Sequence, residues 1–490
     1  MIHDSFNLCG ARYRVLTFSG PWIAFSKIAM DPHRRHLLWS GAASAAAATA
    51  AKAAPSPPSD RAASIGAAPA VLGLDASQLG VRPGSPDDQS ASLQRAIDRA
   101  AAVHVPLALP PGVYRVGDLR LPSGAELVGM GTGAARLVFA GGSALLTAVR
   151  AEHTSLRNLT LDGGSKPLPT NQGLVHCEEA SIRIADCTVL ASGGHGIRLA
   201  ACAAQVTGTT ITDAAEMALL SSDGRGVSIW GNVVTNAGNN GIVVLRGTKG
   251  HDGTLILDNR IENTRNRGGG SGQFGNAINA FRAGNVIIRG NLIRRCAFSG
   301  IRGNSASDIQ IVGNTVHDAG EVALYSEFGF EGAIVANNIV DGAQTGVSIA
   351  NFNEGGRLAT VQGNILRNLA PQMQNPPANE LLGIGIYVEA DTAVTGNVVE
   401  NAQAAGIVIG WGPYLRDVAA TSNVVRKAAI GVAVSVVTGA GPTLISANIL
   451  SQTTRGAIIG MDHARPITGD LGREGARNFA HLSISGNRIG

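Results

Sequence analysis

Aromatic residues are scarce in this chain: Phe, Trp and Tyr make up 4% of 490 residues, and charged residues only 15%. A helical bundle or β-sandwich of this length normally carries more bulky side chains, so the composition points to a narrow core of Val, Ile, Leu and Ala in one domain. A surplus of one charge is also missing. The formal net charge is +4, but Arg12, Arg14, Lys27, Arg34, Arg35 and Lys52, set against Asp4 and Asp31, account for it. The chain beyond residue 53 is balanced, which argues against bulk nucleic-acid binding. The five cysteines (Cys9, Cys177, Cys187, Cys202 and Cys296) match no metal-ligand spacing and are expected as buried free thiols; neither a metal nor another cofactor is expected. The apolar stretch after Arg35 is too short and too weakly hydrophobic for a membrane span, and no later segment resembles one.

What the chain does have is glycine, 64 of its residues, and a repeat. A pattern of alternating apolar residues followed by Gly-Asn or a relative recurs: VSIWGNVV, LILDNRI, VIIRGNLI, IQIVGNTV and onward to LSISGNRI. Its Asn stands at 232, 259, 291, 314, 338, 364, 397, 423, 448 and 487, and the shortest spacings, 23 to 26, define the unit. Each unit holds a second alternating strand opened by Gly-Ile or a relative, such as GIVVL at Gly241 and GIRGN at Gly300. Short strands of period 2 with Gly and Asn at the bends fit one turn of a right-handed parallel β-helix, not a helical solenoid or a propeller blade. The Asn is expected at a left-handed bend, its carboxamide bonded to the coils above and below.

Asp87 and Asp88 precede a segment in which Leu93, Ile97 and Ala100 or Ala101 share one helical face; either acid is placed to cap that helix. LALP, a Pro-Gly turn, Tyr114-Arg115-Val116 and LVGMGTG follow. This stretch resembles the N-terminal cap of the pectate-lyase-like superfamily, in which an amphipathic helix covers the exposed first coil. Upstream, HRRHLLWSGAASAAAATAAKA carries paired Arg34 and Arg35, an Ala-rich stretch and Ala51-Lys52-Ala53. It resembles a twin-arginine export signal with its cleavage site. Residues 1–53 are thus read as leader and signal, with Met30 a second candidate start, 54–74 as a linker, and 75–490 as the β-helix. Taken together the chain resembles the twin-arginine-translocated repeat proteins, a resemblance that implies periplasmic or secreted localisation, a transient partner in the export machinery and a β-helix, but no activity.

Two units are interrupted in the same bend, by ENTRNRGGGSGQFGN after Asn259 and by RNLAPQMQNPPANELLG after Asn364, and Met461–His481 interrupts the last. Outward positions of the second strands, taken coil by coil, are Leu219 and Ser221, Val243 and Leu245, Asn279 and Phe281, Arg302 and Asn304, Tyr325 and Glu327, Ser348 and Ala350, Tyr387 and Glu389. The two central insertions are expected to wall a groove of about 19 Å over four coil steps. Its candidate catalytic residues are Glu327, Glu389 and Arg302, with Asn279, Asn304, Tyr325 and Tyr387 binding substrate and Glu321, Glu331, His317 and Asp391 in reserve. Two carboxylates about 9 to 10 Å apart at the backbone stand near the upper end of the spacing in inverting glycosidases. Arg302 would suit a uronate carboxylate in β-elimination. Glu327→Gln is expected to abolish such activity at unchanged melting temperature.

Known signatures are incomplete. Of the polygalacturonase set only Gly194-His195-Gly196 and Arg198 are present, so His195 is read as a bend residue. The Asp-Pro-His-Asp of mannuronan epimerases and a calcium-type Asp cluster are missing. Two functions stay open: a protein that binds an extracellular or periplasmic polysaccharide, with cleavage by hydrolysis or elimination left open, and a non-catalytic envelope-associated binding or scaffold protein.

Overall fold

The computed structural model describes residues 73–490 apart from 132, 271 and 373–379. The leader, Cys9, Met30, Arg34, Arg35 and the cleavage site lie outside the described residues. From Leu74 onward the chain winds as a right-handed parallel β-helix. The strand preceding each ladder Asn belongs to a first sheet of 16 strands. The strand following it and the Gly-Ile strand form a second and a third face, joined at a bend. In some coils these last two run as one bent strand, as in Thr315–Glu327 and Val398–Ile409.

Period-2 alternation turns Val316, Ile349, Ile386 and Ile407 and their equivalents fully inward, and small residues let neighbouring coils stack with parallel pairing throughout. The cysteines fit this core: Cys177, Cys187, Cys202 and Cys296 are buried and unbridged. Burial pushes the thiols up, Cys187 to about 11 and Cys296 to about 12, so they stay protonated and inert.

The ten Asn residues form a continuous ladder inside the coil, but not at the left-handed position expected for them. The residue before each one takes positive φ instead: Gly231 (65°), Asp258 (54°), Gly313 (67°), Asn337 (56°), Ser422 (56°). That bend turns the Asn side chain into the core. There Asn314 donates its amide N–H and Nδ2 to Asn338 Oδ1 at 2.8 and 3.0 Å, and Nδ2 also reaches the Ile288 carbonyl at 3.0 Å. The bonds from one ladder Asn to the next repeat from Asn232 to Asn487, so each ladder carboxamide between the ends has a partner on both sides.

Both ends are covered. Helix α1 (Ser90–Ala102) buries Leu93, Ile97, Ala100 and Ala101 over the first coils. Asp88 serves its start, accepting from Ser90 N at 2.8 Å, while Asp87 pairs with Ser85 instead. At the other end the interruption after Met461 folds back: Arg465–Asp470 pairs antiparallel with the last long strand, and Asp470 accepts from the Ala457 and Ile458 amides at 2.9 and 3.0 Å. No described helix is long and apolar enough to cross a membrane.

Candidate functional site

Cross-strand register places Asn279, Arg302, Tyr325, Ser348 and Tyr387 in one outward column of the third face. Phe281, Asn304, Glu327 and Ala350 form a second column beside it, which Glu389 continues. One coil differs from the sequence expectation: Leu220 and Ser222, not Leu219 and Ser221, stand opposite Arg198 and Ala200. The MALLSS segment lacks the Gly-Ile that marks the strand start elsewhere, so its phase was ambiguous by one residue.

These columns are not the open floor that outward alternation suggested. Glu327 is 1% exposed, Glu389 3%, Tyr387 1%, Tyr325 7%, and Arg302 and Asn279 9% each. Segments remote in sequence cover them. The first insertion lies between the strands Arg260–Thr264 and Ile278–Gly284. It is held by Asn239 Oδ1, which accepts from Gly268 N at 2.7 Å, and by Asn240, which bonds Asn276 N at 2.8 Å and the Gln273 carbonyl at 3.1 Å. Its Gly272 (φ 106°) packs so closely on Arg302 that a Cβ there would lie 1.7 Å from Nη1. Opposite, the strand Ile242–His251 overruns its neighbours: Lys249 Nζ donates to the Gly329 carbonyl, and Arg282 Nη1 to that of Gly247 at 3.2 Å. The turn after Ala350 closes the far end, where Phe352 stacks edge-on against Tyr414. The second insertion occupies the same bend as the first, and a further one, between Leu159–Asp162 and Gly173–Glu178, was not anticipated.

Under this cover the predicted residues gather into two groups. Arg302 donates Nε and Nη2 to Glu327 Oε1 at 2.7 and 2.6 Å, and Asn304 Nδ2 adds a third bond at 2.8 Å. The guanidinium also stands over the Tyr325 ring, 5.0 Å from its centroid. Burial disfavours the Arg302 charge, but Glu327, Tyr325 and Glu321 outweigh it and keep the guanidinium ionised above its ordinary range. Burial, reinforced by Glu327, holds the Tyr325 phenol neutral. In the second group Glu389 accepts from Phe352 N at 2.8 Å and from Tyr387 Oη at 2.9 Å. Of the reserve residues only Glu321 belongs here, through its charge. Glu331 and Asp391 pair with Arg357 and Arg416, and His317 stands beside Asp341 on the second face.

Within the first column three buried polar atoms find no hydrogen-bond partner among the described residues: Asn279 Oδ1, Arg302 Nη1 and Ser348 Oγ. Such atoms cost free energy unless something else completes them. The orphaned atoms were not read from sequence, and the first insertion, expected as a wall of the groove, lies over Arg302 instead, although the Asn239-Asn240 pair and Asn276 before their Ile strands were a visible signal. Two open depressions lie elsewhere: one of about 980 Å³ against α1 near Asp98, Asp118 and Arg120, and one on the first sheet near His153 and Arg183. Neither contains such an orphaned atom. No group of three His, Cys, Asp or Glu among the described residues is placed to hold a metal ion.

His195, expected at a bend, instead opens the strand His195–Ala200. It is 5% exposed, and its Nδ1 accepts from Met217 N at 3.3 Å. Burial, aided by Arg198 and His176, pushes its pKa down to about 3. A histidine depressed below its unfolded value of about 6.5 contributes stability that is complete above that pH and lost as pH falls toward 3. We expect His195→Asn to flatten the pH dependence of urea unfolding in that window, where the native chain loses on the order of 5 kcal/mol through this group. An unchanged slope would count against the assignment.

Among solved structures, the A-module of mannuronan C-5 epimerase AlgE6 from Azotobacter vinelandii is 19% identical with TM-score 0.46, over 66% of this chain and 99% of its own. The N-terminal fragment of bacteriophage phi29 gene product 12 is 15% identical with TM-score 0.50, over 85% and 71%. The GH87 α-1,3-glucanase catalytic unit of Streptomyces thermodiastaticus is 12% identical with TM-score 0.39, over 87% and 70%. At such identities the likeness concerns the fold. No curated protein matches the chain. The family profile of the right-handed β-helix region matches residues 202–366 and 252–450, together just over half of the sequence, and the chain belongs to that family.

Proposed function

We propose that this is an exported protein that binds a polysaccharide along the third face, between the first and second insertions. One observation carries the reading: Asn279 Oδ1, Arg302 Nη1 and Ser348 Oγ, buried without a partner among the described residues, share one column with Tyr325 and Tyr387. A donor, two hydroxyl-matching groups and aromatic rings at coil spacing suit a chain of hydroxylated rings, with Arg302 favouring a uronate. Entry requires the Gly272 segment to move off Arg302. Cleavage further requires Glu327 to exchange Arg302 for substrate, or Glu389 to release Phe352 and Tyr387.

The non-catalytic scaffold reading is favoured by that same engagement of both carboxylates. Titrating the protein from about Ala54 onward with neutral and uronic polysaccharides, while following reducing ends and unsaturated-uronate absorbance, separates the two. Asn279→Leu is expected to weaken binding about tenfold while leaving stability equal or higher, because it deletes an unpartnered acceptor. Absence of binding across the panel overturns the proposal in favour of the scaffold. Export rests on Arg34, Arg35 and Ala51-Lys52-Ala53, and on the resemblance to twin-arginine-translocated repeat proteins. Fractionation of cells carrying Arg34→Lys with Arg35→Lys tests it, and normal export of that variant would refute it.

A further inference from the structure

We propose that the second face docks a second copy of this chain, antiparallel about a two-fold axis. The face differs from the rest of the surface in two adjoining columns. In one, Ile339, Ile365, Val398, Val424 and Ile449 stand in register on consecutive coils. Exposure is 38% at Ile339, 43% at Ile365, 39% at Val398 and 45% at Ile449, with Val424 between the last two half-buried. Four coil steps make this an apolar stripe about 19 Å long. Single exposed apolar residues need no explanation, but a contiguous stripe bordered by charge marks an interaction surface.

The second column supplies the identity of the partner. Two residues along from the stripe, Asp341, Arg367, Glu400 and Arg426 are again in register on consecutive coils. Their signs alternate: minus, plus, minus, plus. Read backwards, the order becomes plus, minus, plus, minus, so the column complements its own reverse. A copy related by a two-fold axis perpendicular to the coil axis, passing between the coils of Arg367 and Glu400, sets Asp341 opposite Arg426 and Arg367 opposite Glu400 of the second copy. The same operation lays Ile365 against Val398 and Ile339 against Val424. A copy packed parallel sets every charge against its own sign and is rejected. The alternation also serves the single chain, where Arg367 pairs with Asp341 at 2.9 Å and Arg426 with Glu400 at 3.5 Å. Both Arg side chains are about half exposed in those pairs, 49% and 45%, and remain open to further contacts. Because α1 and the C-terminal hairpin cover the two ends of the β-helix, association uses side chains on this face rather than strand edges.

Sedimentation velocity of the chain from about Ala54 onward, over a concentration series, is expected to show a monomer–dimer equilibrium. Arg367→Glu places two like-charge contacts across the axis and is expected to raise the dissociation constant at least about tenfold. Adding Glu400→Arg restores complementarity across the axis, without restoring the native order of charges within one chain, and is expected to bring dimerisation back. Val398→Lys is expected to abolish it. Circular dichroism melting of each variant separates loss of association from loss of fold. A monomer at every concentration overturns the proposal, as does a dimer indifferent to Arg367→Glu or an Arg367→Glu defect that Glu400→Arg does not repair.

Discussion

Asn338→Leu is expected to unfold the β-helix at markedly lower denaturant, at a cost on the order of 5 kcal/mol. The native side chain accepts from Asn314 N and Nδ2 at 2.8 and 3.0 Å and donates to Asn364 Oδ1 and the Ile311 carbonyl at 2.9 Å each. Leucine removes four bonds in a site closed to water, leaving the Asn314 amide without its acceptor there, while Asn314 Nδ2 keeps the Ile288 carbonyl and Asn364 Oδ1 keeps the backbone amide of residue 338. Position along the ladder supplies the control. Asn487 is the last member, only part-buried, and has no further Asn to donate to. Asn487→Leu should therefore lose about 1 kcal/mol, since water replaces what the coil loses. Comparable losses at both positions, in equilibrium urea unfolding, would mean that the ladder contributes no more inside than at the end.

Glu327→Leu is expected to destabilise the protein by about 3 to 5 kcal/mol, because the Arg302 guanidinium then stays buried without its counter-charge. Both partners are almost fully enclosed, with side chains 10% and 2% exposed, so water cannot readily take the place of the carboxylate. Glu327→Gln keeps an oxygen toward Arg302 but not the charge, and is expected to fall between. Removing both partners, as Arg302→Met with Glu327→Leu, should recover most of the loss, since replacing a buried ion pair by apolar groups is often neutral. Melting curves of the two single variants and the double variant measure this directly. A Glu327→Gln protein with an unaltered melting temperature, which is what an open groove floor implied, would show that the carboxylate is hydrated and that the covering segments leave it accessible.

The contrast between these two sites shows what was legible. The ladder was visible residue by residue, because a recurring Asn at coil spacing has one economical use: bonding to its own equivalents. Only its conformation was misplaced. The left-handed turn falls on Gly231, Asp258 or Asn337, because an Asn that itself occupied the turn would not deliver its carboxamide into the core. The outward columns were also assembled in the observed register, apart from the one-residue phase error at Leu219 and Ser221. Alternation tells which side chains leave the core on one side of a strand. It cannot tell whether solvent or protein lies beyond them.

That second question depends on contacts between segments far apart in the chain. Lys249 reaches the carbonyl of Gly329, 80 residues on, and Phe352 meets Glu389, 37 residues on. No local pattern encodes such distances, and the first insertion, read as a wall beside the groove, lies instead against Arg302 through Gly272. The sequence by itself determined the coil, its repeat period, the capped ends and, one coil's phase apart, the columns in which charge and aromatic residues meet, because these follow from a short repeat whose period is set by backbone geometry. Only the tertiary structure decided that Arg302 and Glu327 neutralise each other under cover, that Glu389 braces a turn, and that the exposed alternating charges belong to another face, because burial is a property of what packs on a strand and not of the strand itself.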